Sequence, residues 1–486
     1  MLILAILAVP VSMTVVAATF SWRAWVGWVS AGSCALILGL GIALGVATSS
    51  GPQWALHHSL RADSLSAFMV VVIGAVSLLA TLFTPRTMRQ ELSGGIISAR
   101  YARHYVVLMQ AFIVCMLGAV VTANLGVFWV CIEATTIATT FLVSHRRTDG
   151  AFEASWKYVI LCSVGIALAF LGTVLVYFAE RHVPATAHGS SLDWTTLTAL
   201  APHFDPNVTR VAFALVVVGY GTKVGLVPMH SWLPDAHGQA PAPVSALMSG
   251  VLLSVAFYGL LRFRAVAVAA LGPTFPRALL LVVGMASLLL ATVMLIAQRD
   301  LKRMLAYSSI EHMGLLAVAA AVGSPLALAA VLLHILGHGI TKAVLFLSAG
   351  EIAHLEGTTE IAQISGLLAR RPALAGIFGV GLLSLIALPP FSLFVSELSM
   401  ARAEVDAGLW WAVAASLLCV SVIFAAVGRH ARQMLFGGAV ADAPPSATDR
   451  SLVLPLVGAL VVCGALGIVS WPLQSLLVHA AHGVMP

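Results

Sequence analysis

The chain alternates between long apolar runs and short polar connections along its whole length. An apolar helix needs about 20 residues to cross the hydrocarbon core of a membrane. Fourteen runs approach or exceed that length, which predicts an all-α polytopic membrane protein with about 14 transmembrane helices. The runs lie near 2–20, 27–48, 64–84, 104–121, 123–143, 155–179, 208–230, 240–262, 275–297, 303–322, 325–349, 373–400, 408–428 and 452–478.

Composition supports lipid as the main solvent. Hydrophobic residues make up 60% of the 486 positions and charged residues 9%, with a mean hydropathy of +1.01. Soluble chains carry about 25% charged residues. The first run lacks a basic leader and a small-residue cleavage site, so we expect a retained helix rather than a cleaved signal peptide.

The net charge of +6 resides in short loops and does not indicate nucleic-acid binding. Loop arginines and lysines are roughly twice as numerous on the side opposite the N-terminus, which predicts that side to be cytoplasmic. We therefore expect a multi-pass protein of a prokaryotic cell membrane with both termini outside. The six cysteines stand singly, and no nucleotide-binding or nucleophile motif occurs, so we expect no cofactor, metal, redox site or hydrolytic site in this chain.

Two of the runs are interrupted by prolines. Residues 219–243 and 384–397 contain Pro228, Pro234, Pro389 and Pro390 among others. Proline breaks or kinks a helix, and two broken segments at matching places in two halves point to a transporter's ion site.

The interrupted runs are five helices apart and therefore cross in opposite directions. We predict helices 1–3 in residues 1–103 and two inverted five-helix repeats in 104–264 and 265–436, with broken helices 7 and 12. A loop and helix 14 follow in 437–486. The polar stretches 181–206 and 437–450 are expected to be surface connections.

An ionisable residue inside an apolar run is energetically unfavourable in lipid, so such residues normally face the bundle interior and pair with one another. Lys223, five residues before Pro228, is the sharpest example. Burial lowers the proton affinity of a lysine and a nearby carboxylate restores it, so a lysine with a movable partner can store and release a proton. Glu133 is the partner we expect. The alternative is a static buried ion pair.

His334, His338 and Lys342 recur at i, i+4 and i+8 and should share one helix face. Because histidine titrates near neutrality, this stripe predicts a proton wire. The alternatives are buried core histidines or a metal-binding pair, although the sequence indicates no third ligand nearby.

Other ionisable residues give weaker indications. Glu397 follows the second break and is either the counterpart of Lys223 or a carboxylate at the outer surface. Glu311 and His312 belong either to the relay or to a local polar contact. We expect Lys157 to pair with Glu153 near the membrane surface, and a role for Lys157 in the proton path competes with a purely local ion pair. For the remaining three residues, an access or coupling role competes with loop capping; they are His230, Asp235 and His237.

Three segments carry a resemblance to a known family: 221–262 (GTKVGLVPMHSWLPDAHG…), 300–314 (DLKRMLAYSSIEHMG) and 334–350 (HILGHGITKAVLFLSAG). Together they resemble the antiporter-like proton-channel subunits of respiratory complex I, membrane-bound hydrogenases and multisubunit cation/proton antiporters. The resemblance implies fourteen helices, inverted repeats and broken helices 7 and 12. It also implies other membrane subunits and a peripheral redox arm as partners, with protons or sodium ions as cargo.

The resemblance further implies roles by position. Glu133 and Lys223 match the acidic residue of helix 5 and the lysine of helix 7. Lys342, with the two histidines of its stripe, matches the central relay, and Glu397 matches the last residue of the path on helix 12.

Ser254 stands where related complex I subunits have a lysine on helix 8, which leaves open how the two half-channels connect. Water or a route through Glu311 and His312 would have to serve. This departure, with the SSIEHMG string, looks most like the hydrogenase-4 and formate hydrogenlyase type. The stretch after 478 is too short for a long lateral helix, so we expect a middle or sole antiporter-like subunit.

The expected function is outward proton translocation in a redox-driven complex. The alternatives are a subunit of a sodium/proton antiporter and a passive membrane scaffold of a catalytic arm.

Overall fold

The structure, a computed structural model, describes residues 1–183, 192–436, 450–469 and 471–485. Within these residues, twelve helices are long and apolar enough to cross a membrane. The predicted all-α membrane architecture is confirmed. The predicted loop at 437–450 lies almost wholly outside the described residues, as does the middle of the loop at 181–206.

The helices follow one another with short connections. In chain order they are α1 (Leu2–Thr19), α2 (Ala24–Ala47), α3 (Ser64–Ser93), α4 (Ala99–Val121), α5 (Leu125–Val143), α6 (Asp149–Arg181), α7 (Trp194–Leu200), α8 (Pro206–Val224), α9 (Trp232–Gln239), α10 (Ala242–Leu247), α11 (Leu253–Leu271), α12 (Thr274–Ile296), α13 (Leu301–Val322), α14 (Pro325–Glu356), α15 (Leu367–Arg370), α16 (Pro372–Leu385), α17 (Ser392–Asp406), α18 (Trp410–Phe436), α19 (Arg450–Ile468) and α20 (Trp471–His482).

Shorter elements complete the chain. A π-helical turn, Met248–Leu252, joins α10 to α11, so that Ala242–Leu271 forms one long helix. Strands β1 (Gln53–Ala55) and β2 (Leu60–Ala62) pair antiparallel, with Trp54 opposite Arg61. Single 3₁₀ turns span Thr48–Ser50, Ala201–His203 and Ile361–Gln363.

Both predicted breaks are present. The first separates α8 from α9, and the second separates α16 from α17. The Val227–Pro228 and Pro389–Pro390 peptide bonds in these breaks are cis. Counting each interrupted pair as one crossing, beside the twelve long helices, gives the predicted fourteen. The count, the inverted repeats and the four-part division of the chain stay predictions.

The last predicted span, 452–478, differs from the structure. α19 ends at Ile468, and α20 begins at Trp471 and packs against α3 and α14. Gly467 lies against the second break, where an added Cβ would be 1.9 Å from the Pro390 carbonyl oxygen. Only glycine fits so close an approach, which places the end of α19 beside the break.

At one end of the bundle, which we call the Asp63 end, polar contacts join loops that are distant in sequence. Arg262 of α11 donates to Asp63 at 2.8 Å and to the carbonyl of Gly483 at 3.1 Å. Burial raises the pKa of the Asp63 carboxyl, but Arg262, the N–H of Ser66 and Arg61 together lower it by more, so the pKa lies below the ordinary value. Arg262 also stacks on Trp194, 3.7 Å from the ring centre.

The opposite end, the Glu91 end, is held by ion pairs among α3, α14 and the α5–α6 loop. Arg146 contacts Glu91 at 2.8 Å, and Arg86 pairs with Glu351. The loops before α13 and α15 meet through a bridge between Asp300 and Glu360. Loops predicted to share a membrane side thus meet at the same end.

Three helices form the centre of the bundle. Every residue in the most apolar stretch of Ala242–Leu271, α13 and α14 is buried. A helix that is apolar all round belongs inside the protein rather than at its edge. These helices carry Glu311, His312 and the predicted stripe on α14, so those side chains are held away from lipid.

Candidate functional site

Lys223 is buried at the C-terminal end of α8, one turn before the first break. The helix stops there because Gly225 adopts a left-handed conformation, φ +86°, and the N–H of Leu226 returns to the carbonyl of Gly221 at 2.8 Å. A Cβ on Gly225 would lie 2.5 Å from Leu233 Cδ1. The break therefore fixes Lys223 at a helix end inside the protein.

Tyr158 is the direct partner of Lys223. The Nζ atom donates to the Tyr158 hydroxyl at 2.7 Å and lies 4.8 Å from the centre of its ring. The Tyr158 hydroxyl in turn shares a short hydrogen bond with Thr139 of α5. Sequence reasoning missed Tyr158, because an uncharged side chain in an apolar run gives no signal.

Glu133, the expected movable partner of Lys223, interacts with it electrostatically but makes no direct hydrogen bond to it among the described residues. Its role as a movable partner stays a prediction. Glu133 is partly exposed and accepts hydrogen bonds from Thr136 at 3.2 Å and Ser163 at 3.1 Å. The Lys223 ammonium donates to the Tyr158 hydroxyl instead. Glu133 therefore acts on Lys223 through space and through neighbouring hydroxyls.

Lys157 and Asp235 form a surface network rather than a buried one. Lys157 pairs with Glu153 at 2.6 Å, as predicted, and also with Asp235 at 3.2 Å. Arg303 contacts the other oxygen of Asp235 at 3.1 Å. The Lys157 side chain is 48% exposed, so these pairs hold α6, α9 and α13 together near the surface.

His237 lies deeper than its loop-like sequence context suggests. Its ring is fully buried, stacks on Phe346 of α14 at 5.0 Å, and has no hydrogen-bond partner for either nitrogen among the described residues. His230, half-buried before α9, likewise leaves Nδ1 unpartnered.

Lys302 is a second residue that sequence reasoning missed, because it lies just outside the predicted apolar run 303–322. Its Nζ is buried and donates to the carbonyls of Ala240 at 2.7 Å and Gly238 at 3.4 Å. A cavity of about 730 Å³ at the Glu91 end reaches Lys302 and is also lined by Glu351 and His354. Lys302 thus lies between an open vestibule and the segment that carries His237.

The long helix Ala242–Leu271, which is the predicted helix 8, contains no lysine. Ser254 is buried, and its hydroxyl has no partner among the described residues. One turn earlier, in the π-helical turn, Ser249 shares a 2.8 Å hydrogen bond with Ser309 of α13. Gly250 and Gly339 let this turn approach α14 closely, since a Cβ on Gly250 would lie 2.9 Å from the Gly339 carbonyl oxygen. π-Helical turns are frequent at functional sites.

Lys342 lies on α14 opposite the same part of α13. Its Nζ donates to the carbonyl of Leu305 at 2.7 Å and to the hydroxyl of Ser308. Glu311 is buried within electrostatic range of Lys342. Lys342 therefore sits next to Ser309, the partner of Ser249, with a carboxylate one turn away.

The predicted histidine stripe faces α13, as the helical spacing requires. His334 and His338 lie with their rings nearly parallel, and His312 contacts both at centroid distances of 5.0 Å. His312 Nδ1 and His334 Nε2 are 3.1 Å apart, a hydrogen-bonding distance. Both ring nitrogens of His338 lack a hydrogen-bond partner within the described part of the chain.

Glu397 completes this cluster from α17. Its Oε1 lies 3.9 Å from His312 Nδ1, and its neighbour Ser396 shares a 3.0 Å hydrogen bond with His334 Nδ1. α17 reaches α14 because Gly337 has no side chain, and a Cβ there would lie 2.3 Å from Ser392 Oγ. The expectation that no third metal ligand lies near the histidines is wrong: His312, His334 and Glu397 offer ligand atoms within 4.8 Å of one another.

The fold and this buried relay define a class of membrane subunit that comparison with known proteins identifies. Residues 122–423 match the family described as NADH:quinone oxidoreductase/Mrp antiporter, transmembrane, and the chain belongs to that family. The hydrogenase-4 component F homolog of Methylacidiphilum infernorum is 38% identical over 84% of both chains. Subunit N of NADH-quinone oxidoreductase from Desulforudis audaxviator is 31% identical over 82% of this chain and 79% of its own.

Solved structures share the fold. A chain of an archaeal membrane-bound sulfane sulfur reductase superposes with a TM-score of 0.86 at 23% identity, covering 99% of this chain and 96% of that one. A chain of the Mrp complex from Dietzia sp. gives 0.86 at 24% identity, covering 99% and 97%.

Proposed function

We propose that this chain is a proton-translocating membrane subunit of a redox-driven complex of the hydrogenase-4 or complex I kind. The observation that carries the proposal is a buried set of titratable groups that extends from Lys223 on one broken helix to Glu397 on the other. Charged and titratable groups inside a membrane bundle mark ion paths and proton relays. The 38% identity to a hydrogenase-4 component F homolog supports a redox-driven complex.

The first part of the path is the Lys223 site. A protonated Lys223 is held by the Tyr158 hydroxyl, and the phenol hydroxyl can pass a proton onward to or from Thr139. Glu133 modulates the charge of Lys223 at longer range. A change of charge in a partner subunit that reaches Glu133 would then alter the proton affinity of Lys223.

The connection between the halves runs through hydroxyl groups instead of a lysine. Ser249 and Ser309 are hydrogen-bonded across helices, and Ser308 contacts Lys342. A hydroxyl both donates and accepts, so it can relay a proton without carrying a charge. This route would replace the lysine that related complex I subunits have at the position of Ser254.

The outward part of the path leads from Lys342 through the histidine cluster to Glu397. His312 and His334 are in hydrogen-bond contact, and imidazole transfers protons through its two nitrogens. Glu397 has a side chain that is 19% exposed, whereas His312 is fully buried. Glu397 is thus the group from which a proton leaves.

We further propose that the Glu91 end faces the cytoplasm and that both termini lie outside. The excess of loop arginines and lysines on that side supports this orientation. The vestibule that reaches Lys302 would give water access from the cytoplasm. The partners of this chain would be other membrane subunits, which would connect it to a peripheral redox arm. In this proposal the redox sites belong to those partners.

Inverted membrane vesicles containing the whole complex test this function. Turnover of the redox reaction should acidify vesicles that carry the native chain, and Lys342→Ala should abolish the gradient while electron transfer persists. Arg210→Ala, at an exposed position on α8, is the control and should pump normally. An intact gradient in Lys342→Ala would contradict the proposal, and a gradient that requires sodium would favour the antiporter alternative.

A further inference from the structure

Three potential metal ligands converge where α13, α14 and α17 meet. They come from His312, His334 and Glu397, each of which offers one ligand atom within 4.8 Å of the other two. His312 Nδ1 and His334 Nε2 are 3.1 Å apart, and His312 Nδ1 is 3.9 Å from Glu397 Oε1. The three residues come from three different helices, so no sequence motif could predict the site.

The spacing matches a tetrahedral metal centre. With metal–nitrogen and metal–oxygen bonds of about 2.0–2.2 Å, neighbouring ligand atoms in a tetrahedral zinc site are roughly 3.3 Å apart. The two distances above bracket that value. Small rotations of the side chains would therefore bring all three ligand atoms into the coordination sphere of one ion.

The surroundings of His334 prepare it as a ligand. Its Nδ1 is 3.0 Å from Ser396 Oγ, and that hydroxyl also lies 2.9 Å from the Leu393 carbonyl, to which it donates. With the serine proton directed at the carbonyl, Nδ1–H donates to the serine oxygen and Nε2 keeps its lone pair. A metal-binding histidine is usually oriented by such a bond from its other nitrogen.

The charges around the three ligands, and a residue near enough to be a fourth ligand, also suit a divalent ion. Glu311 is buried within electrostatic range of Glu397, so two carboxylates are available to balance the charge, with Lys342 opposing them. His338, whose ring centre is 5.0 Å from that of His312, leaves both nitrogens unpartnered among the described residues. It or water can supply a fourth ligand.

We infer that His312, His334 and Glu397 form a binding site for a divalent transition-metal ion of the zinc class, and that occupancy blocks proton transfer. Imidazole and carboxylate together select zinc, cobalt, nickel or copper over sodium or magnesium, which prefer oxygen ligands alone. A ligating imidazole cannot carry a proton on the ligating nitrogen, and a ligating carboxylate is deprotonated. The second half of the inference rests on the proposed function; metal binding itself does not.

Cobalt binding tests the site directly. The complex, purified without a histidine tag and washed with a chelator to remove loosely bound divalent ions, is titrated with Co²⁺, whose tetrahedral complexes absorb strongly in visible light. Native chain should bind one Co²⁺ with such a spectrum, and Zn²⁺ should displace it. His312→Ala and Glu397→Gln should each weaken binding at least tenfold, while His430→Ala removes a buried histidine of α18 outside the cluster and should bind normally.

The outcomes separate the two proposals. Absence of the spectrum in native protein, or equal binding by all variants after each is shown to elute as intact complex, overturns the metal site. Zn²⁺ should also stop proton pumping by native complex, and a chelator should restore it; pumping that persists at saturating Zn²⁺ overturns the blocking role. Cobalt binding by a complex that, before any metal is added, transfers electrons but pumps no protons would instead leave the site standing and contradict the proposed function.

Discussion

Tyr158→Phe is the most informative single change in the first half of the relay. It removes one oxygen atom and leaves the aromatic ring that packs against Trp232 at 4.8 Å. The lost atom is the hydrogen-bond acceptor for the buried Lys223 ammonium, which has no other hydrogen bond among the described residues. The substitution therefore alters the chemistry of Lys223 with little change in packing.

The size of the effect follows from the lost contact. A hydrogen bond to a charged group contributes about 1.5–3 kcal/mol, and each 1.36 kcal/mol is a factor of ten. The protonated state of Lys223 should become roughly ten- to 150-fold less populated relative to the neutral state. If Lys223 must be protonated in every cycle, coupled proton transport at neutral pH should fall by a similar factor.

The assay follows a pH-sensitive dye in inverted vesicles while electron transfer is measured in parallel. Tyr220→Phe is the matched control, since Tyr220 is also fully buried and lies on α8, but the hydrogen bond of Lys223 goes to Tyr158. Normal pumping by Tyr158→Phe at native protein levels would refute the reasoning. Slow pumping by Tyr220→Phe as well would show that the loss reflects packing.

Three further predictions concern the link, the break and the Asp63 end. Ser309→Ala should slow proton pumping severalfold by cutting the link to Ser249, whereas Ser348→Ala, which loses only a bond within its own helix, should pump normally in the same vesicles. Gly225→Ala should lower the melting temperature of the purified complex, because a non-glycine residue in the left-handed conformation costs about 1–2 kcal/mol. Asp63→Asn should cost about 3–5 kcal/mol by leaving a buried guanidinium unpaired. Since the pKa of Asp63 is lowered on folding, this stabilisation is full above about pH 3.9 and is lost as the pH falls through the lower folded value, which melting curves at pH 7 and pH 3 would detect.

The fold could be predicted from the sequence because hydropathy and proline act locally. Apolar runs of membrane length marked the long helices, and Pro228, Pro389 and Pro390 marked the two breaks. The spacing of His334, His338 and Lys342 gave one helix face without any tertiary information. The interruption between α19 and α20 was missed, although the proline at 472, a residue common in the first turn of a helix, was an available signal.

The composition of the site could be predicted further than its connections. Burying a charged residue in a membrane is energetically unfavourable, so a charge inside an apolar run indicates a function. Lys223, Lys342 and Glu397 were predicted on this ground. Tyr158 and the pair of Ser249 and Ser309 were not predicted. A hydroxyl group costs little free energy inside a membrane helix, so it is not conspicuous in the sequence, and its role depends on a partner that lies on another helix. The same limit explains why Glu133 was expected as the partner of Lys223 and Tyr158 was not foreseen as its direct hydrogen-bond partner.

Protons moved per electron transferred, in vesicles carrying native chain or Lys223→Ala, test the central claim most directly. The account predicts that the variant loses the gradient while the redox half-reaction of the complex survives, because Lys223 stores the proton that the first half of the path delivers. An unchanged ratio of protons to electrons would remove Lys223 from the path and would contradict the account in favour of a membrane scaffold.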